Sequence, residues 1–125
     1  MDERIARALS RGHQIDITTI GRRTGQPRRI EIVFHNIGGR LYIGGVPRRD
    51  RKRAWLLNLE TDPRLTLHLK GVVSADLAAH ARVIDDEAER RAIMPAIAAA
   101  WRRTDLEEMV RWSPLIEVQV DDLAA

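Results

Sequence analysis

Short alternating runs dominate the first two thirds of the chain. Ile15-Asp16-Ile17-Thr18 steps between apolar and polar positions and is rich in β-branched residues, which predicts a strand over 14–20. Gly21-Arg22-Arg23-Thr24-Gly25-Gln26-Pro27 follows, bracketed by two glycines and closed by a proline, and predicts a turn. A second strand is expected over 28–36, with Ile30, Ile32 and Phe34 on one face. Asn36-Ile37-Gly38-Gly39 predicts a tight turn, and a third strand over 40–45 sets Leu41 and Ile43 on one face before Gly44-Gly45 ends it. Farther on, Leu65-Thr66-Leu67-His68-Leu69-Lys70 alternates cleanly, 72–84 reads as a longer strand, and Ile116, Val118 and Val120 mark a last one.

Helical spacing interrupts this pattern in four places. Residues 3–11 suit a short helix before Gly12. Residues 53–60 suit another, with Ala54, Leu57 and Asn58 on one face and Thr61-Asp62-Pro63 as its stop. Asp86 with Glu89 forms a capping box ahead of a helix over 87–103, whose stripe is Ile93, Ile97 and Trp101 and which Pro95 is expected to kink or break. Thr104 with Glu107 repeats the box and starts a helix through Trp112, closed by Pro114. About six strands, mostly linked as hairpins, with three or four helices make an α+β chain dominated by an antiparallel sheet or barrel. No repeat, low-complexity tract or linker divides it, so residues 1–125 read as one domain.

Composition narrows the chemistry. There is no cysteine, which excludes a disulfide, a thiolate metal site and a cysteine nucleophile. No apolar run approaches the ~20 residues of a membrane span, and Met1-Asp2-Glu3-Arg4 lacks an apolar signal core. A cytoplasmic protein without integral membrane association is the expectation. The net charge of +3 conceals an asymmetry: residues 1–71 hold 15 Arg and Lys against 7 Asp and Glu, and the remainder 6 against 11. A basic front half points to an anionic partner, and nucleic acid, a membrane surface and a phosphorylated cofactor all fit that fact alone.

Two segments could carry an anion. In Gly21–Arg29 the glycines free the backbone while Arg22, Arg23, Arg28 and Arg29 supply forked donors suited to phosphate and carboxylate. A solvated, charged hairpin tip explains the same residues. In Gly44–Arg53, five of the six residues from Arg48 to Arg53 are basic, and they stand between a strand and a helix start, as in phosphate-binding arrangements. No Gly-Lys-Ser/Thr follows, so this is not a nucleotide-triphosphate loop. The histidines at 13, 35, 68 and 80 lack ligand spacing, which speaks against a metal. Ser10, Ser74 and Ser113 occupy no nucleophile elbow, and Asp85-Asp86 and Glu107-Glu108 look like helix starts rather than acid–base pairs. Trp55, Trp101 and Trp112 suit the core, with Trp55 set apart by its place beside the basic loop. Hydride transfer from a bound cofactor needs positioning more than a protein nucleophile, which matches this inventory.

Thr18-Thr19-Ile20-Gly21-Arg22-Arg23-Thr24-Gly25-Gln26-Pro27-Arg28 resembles the signature of the deazaflavin-dependent nitroreductase family. Ala54-Trp55-Leu56-Leu57-Asn58-Leu59 and Asp62-Pro63-Arg64-Leu65-Thr66-Leu67 resemble it too, in the same order and spacing over roughly residues 15–72. The resemblance implies a split β-barrel related to FMN-binding pyridoxamine-phosphate oxidase folds. It implies the coenzyme F420, an 8-hydroxy-5-deazaflavin with a phospholactyl-oligoglutamate tail, and a reaction delivering hydride to a quinone, nitro compound or enone. By position, Arg22, Arg23 and Thr24 would meet the tail and phosphate, and Arg28, Arg29 and Ile30 would begin a strand lining the coenzyme. Gly44, Gly45, Val46 and Pro47 would bring backbone close to the ring, and Ala54, Trp55 and Asn58 would face it from the other side. Members that activate nitroimidazoles use C-terminal tyrosines around the substrate, whereas this chain has only Tyr42, with Trp112 as the replacement wall. A split barrel using FMN is the alternative, although four or more arginines suit a longer polyanion than one phosphate. A nucleic-acid binder is the third reading, against which stand the 4% aromatic content and the absence of a stacking platform. Many split barrels pair as two-fold dimers, so a homodimer is open.

Overall fold

The computed structural model describes residues 2–121. Its elements run α1 (Glu3–Leu9), β1 (Gln14–Ile20), β2 (Pro27–Ile37), β3 (Arg40–Gly44), α2 (Ala54–Thr61), β4 (Arg64–Leu69), β5 (Ala75–Val83), α3 (Glu87–Ala100), α4 (Leu106–Trp112) and β6 (Leu115–Val120). Every strand pair is antiparallel, and the strands close as a barrel in the order β1-β2-β3-β6-β5-β4. Each strand thus pairs with two neighbours, although the first half of β2 pairs with β1 alone, because its pairing with β3 covers only Phe34 to Ile37. The register Gln14↔Val33 through Ile20↔Pro27 makes residues 21–26 the tip of the β1–β2 hairpin.

Alternation sorts the side chains into two layers. Ile15, Ile17, Phe34, Leu41, Ile43, Leu65, Leu67, Leu69, Leu77, Ile116 and Val118 fill the barrel, and Trp55, Leu56 and Leu59 of α2 join the same cluster. A second cluster lies outside the barrel wall, where Ile93, Met94 and Ile97 of α3 and Met109 and Val110 of α4 meet Tyr42 and Leu115. The exposed outer wall carries polar rows instead. Asp16 bridges Lys70 at 2.7 Å and Arg29 at 2.9 Å, and these two cations, Lys70 first, hold its carboxyl below the usual carboxylate range. In the same cross-strand row as Asp16, His68 Nε2 meets Thr18 Oγ1 and His68 Nδ1 meets Asp76, each at 2.7 Å, so this buried imidazole has a cross-strand structural place.

Several expectations are corrected in detail. Pro95 neither kinks α3 to a stop nor breaks it: the helix runs from Glu87 to Ala100 through the proline. Arg91 and Pro95 are both exposed, so the carbonyl deprived of a donor lies on the solvent side of the helix, while Ile93, Met94, Ile97 and Ala98 anchor the helix on either side. The α4 N-cap is Asp105 rather than Thr104; Arg103 grips the Asp105 carboxylate at 2.6 and 2.9 Å, and no side chain caps the helix. In α2 the buried residues are Trp55, Leu56, Asn58 and Leu59, while Ala54 is exposed and Leu57 half-buried. The bulkier side chains turn into the barrel cluster and carry the small Ala54 outward. The third strand ends at Gly44, leaving Gly45 in the following loop.

Candidate functional site

The β1–β2 hairpin tip closes on itself through backbone bonds, Gly21 N–H to Gln26 O and Gly25 N–H to Gly21 O, both 2.8 Å. Gly25 sits at φ +70°, a left-handed conformation that favours glycine there. Asn58 fastens this tip to α2. Its amide nitrogen donates to Thr19 Oγ1 at 3.0 Å, and its carbonyl oxygen accepts the Arg22 backbone N–H at 3.1 Å. Both Thr19 and Asn58 are buried, so each satisfies the other's polar group inside the barrel end.

The fastening creates a groove of about 530 Å³ between the hairpin and the start of α2. Nine of the sequence candidates line it: Arg22, Arg23, Thr24, Arg28, Arg29, Ile30, Ala54, Trp55 and Asn58. Gly21 and Pro27 of the expected turn line it as well, and so does Thr19, which the sequence places only within the first strand. Thr19 had a signal, a polar residue continuing the inward Ile15, Ile17 series. Among the described residues Arg22, Arg23 and Arg28 form no ion pair, whereas Arg29 is engaged with Asp16. Three uncommitted guanidinium groups beside apolar Ile30 and Trp55 fit a ligand with an anionic tail and a flat apolar body.

Gly44, Gly45, Val46 and Pro47 do not line that groove. Gly45 packs beneath Pro114 and Arg53, where a Cβ would fall 2.8 Å from Pro114 Cγ. The Val46 carbonyl accepts from Arg53 Nη2 at 2.8 Å, which ties this segment to the N-cap of α2. That N-terminus has no capping side chain and no acid in its first turn. Its amide dipoles are therefore uncompensated by the protein.

A second cleft of about 340 Å³ opens on the far side of the same helix turn. Arg48, Arg49, Arg51, Lys52, Arg53, Arg90, Arg111, Trp112 and Ser113 contribute to it, with Leu56, Val83 and Leu115 as apolar walls. Arg90 is buried and spends its guanidinium on four carbonyls, those of Ile84 (2.9 Å), Val110 (2.7 Å), Met109 (3.3 Å) and Ser113. Burial lowers its pKa. The sequence signal for Arg90 was a charge three residues before Ile93 on the buried face of α3, a spacing that singled out no function. Among the described residues no cluster of His, Asp and Glu could hold a metal, and no helix is long and apolar enough to cross a membrane.

Comparison with known proteins agrees with this geometry. The barrel superimposes on a conserved hypothetical protein from Mycobacterium tuberculosis with a TM-score of 0.74 at 18% identity, covering 97% of this chain and 81% of that one. A protein described as an F420 reductase gives a TM-score of 0.71 at 14% identity, covering 96% and 95%. A putative pyridoxamine 5'-phosphate oxidase from Listeria innocua gives 0.68 at 16%, covering 95% and 92%. At these identities the structures establish the split-barrel fold, as the sequence led us to expect. The family model for F420H(2)-dependent quinone reductases matches residues 1–122. Its span covers both the arginine hairpin and the helices behind the second cleft, and the chain thus belongs to the F420H(2)-dependent quinone reductase family, a family of F420-dependent oxidoreductases.

Proposed function

We propose that this chain binds coenzyme F420 along the arginine groove and uses its reduced form to reduce a small organic acceptor of the quinone type. The observation that carries the reading is the set of three ion-pair-free arginines, Arg22, Arg23 and Arg28, held beside the uncapped start of α2. Arg22, Arg23 and Thr24 bind the phosphate and carboxylates of the tail. The Thr24 hydroxyl accepts from Gln26 N–H at 3.2 Å and keeps its own proton for an anionic oxygen. Ile30 and Trp55 exclude water from the flat part of the coenzyme, and Asn58 positions Arg22 by gripping its backbone. Gly45 and Val46 brace the start of α2 from behind through Arg53.

When bound, the reduced deazaflavin supplies a hydride, which with one proton converts a quinone to its hydroquinone. The residues lining the groove orient and desolvate, and none of them stands as a nucleophile. Nitro compounds and enones remain secondary acceptors in this proposal, and FMN is the competing cofactor for the same cradle. The test is quinone-dependent oxidation of reduced F420, followed by loss of coenzyme absorbance and by hydroquinone formation. Arg22→Ala with Arg23→Ala removes two charge-assisted contacts of about 1.5–3 kcal/mol each, so KM for the coenzyme rises by roughly 100-fold or more. An unchanged KM would remove these arginines from the site.

A further inference from the structure

The second cleft is strongly cationic, and its charge exceeds what the protein neutralises. Five basic residues come from positions 48–53, with Arg90 and Arg111 added from the helices, and among the described residues Asp85 is the one acid lining it. Arg48 is bonded to Asp50, Arg49 to Glu108, and Lys52 to Glu60. Among the described residues Arg51, Arg53 and Arg111 pair with no carboxylate. Arg53 is held below the ordinary guanidinium pKa by burial and by the neighbouring Arg48, the mark of a site that disfavours its own cations. A second, independent feature points the same way. The hydroxyl oxygen of Ser113 is buried and has no hydrogen-bond partner, although Ser113 is only 3% exposed and lines the cleft. A buried hydroxyl without a partner is costly unless a ligand completes it. The remaining walls are apolar, Leu56, Val83 and Leu115, and Trp112 stands at the rim with Arg111 5.5 Å from its ring centroid.

This cleft and the arginine groove are two sides of one wall. Arg53 and Leu56 face the cleft, whereas Ala54, Trp55 and Asn58 face the groove. We infer that the second cleft seats the acceptor and selects acceptors that carry an anionic group, such as a carboxylate on a flat apolar ring. Arg51 and Arg111 supply the counter-charge, Ser113 a hydrogen bond, and the apolar walls the ring's contact. This rests on the reading that the coenzyme occupies the groove on the other side of α2.

Calorimetric titration of the coenzyme-free protein with 2-naphthoate and with its neutral isostere 2-naphthamide tests it. The acid should bind at least tenfold more tightly than the amide, and Arg51→Gln with Arg111→Gln should bring the two within threefold. Both arginines are exposed, so the variant should keep the wild-type melting temperature; if it does not, the acid–amide comparison on the wild-type protein decides. Naphthoate should still bind when F420 is present. Equal affinities, a preference that survives the double substitution, or displacement of naphthoate by F420 would each overturn the inference, the last by giving the cleft to the coenzyme's own anionic tail. Turnover separates the two proposals. A naphthoquinone carboxylate should show a KM at least tenfold below its carboxamide, and a comparable KM for both would count against an anionic acceptor. If naphthoate binds with the expected preference while no quinone is reduced, the anion site stands and the reductase reading falls.

Discussion

Asn58 shows how one side chain links the barrel core to the ligand-binding hairpin. Its two bonds, to Thr19 and to the Arg22 backbone, both lie at the barrel end and both are lost in Asn58→Ala. Chemical denaturation should report a loss of about 2 kcal/mol, from the missing bonds and the stranded Thr19 hydroxyl. Coenzyme affinity should fall as well, because Arg22 loses its anchor. A variant with native stability and native affinity would show that Asn58 is dispensable. The motif resemblance placed Asn58 at the coenzyme; the structure adds that both polar ends of its amide hold the protein to itself. Such a role is invisible in spacing, since Thr19 and Arg22 lie 39 and 36 residues away.

At the scale of elements, alternation carried most of the fold. Strands over 14–20 and 28–36 stand nearly where Ile15-Ile17 and Ile30-Ile32-Phe34 put them, because one face of each lines a closed barrel. What the pattern could not reveal was which face of α2 turns inward, since its apolar residues are too evenly distributed to choose one. Nor could it foresee that Pro95 would be tolerated on an exposed face of a helix anchored on both sides. Arg90 is the clearest case of a residue whose role appears only in three dimensions. It joins α3 to α4 and to the approach of β6 by collecting four carbonyls at once. Arg90→Met keeps the stem but takes the guanidinium donors from the Ile84, Val110 and Ser113 carbonyls, while Met109 O keeps its bond from Ser113 N–H, and should cost about 3 kcal/mol by thermal or chemical unfolding. A cost below 1 kcal/mol would mean that water serves the carbonyls equally well.

For the whole molecule, charge and protonation set the working range. The basic front half of the chain resolves into two adjoining cationic clefts on either side of the α2 N-terminus, so one feature of composition becomes one feature of shape. His35 sets a lower limit on pH. It lies under α3 with Trp101 5.3 Å away edge-on, its Nε2 is buried without a partner, and burial holds its pKa below 6.5. The unfolded chain takes up a proton near 6.5 while the folded chain resists it. Stability is therefore complete above that value and is lost as pH falls below it toward the depressed folded pKa. Melting curves across this range should show that decline, and His35→Phe should flatten it; an equally steep decline in the variant would assign it to other groups.

The central claim is that the arginine groove is built for a deazaflavin with a long anionic tail. It is tested most directly by titrating the purified protein with oxidised F420, and with FMN in parallel, by fluorescence. The account predicts micromolar or tighter binding of F420 and markedly weaker binding of FMN, because Arg22, Arg23 and Arg28 offer more counter-charge than one phosphate can use. Tighter binding of FMN, or binding of neither, would contradict it.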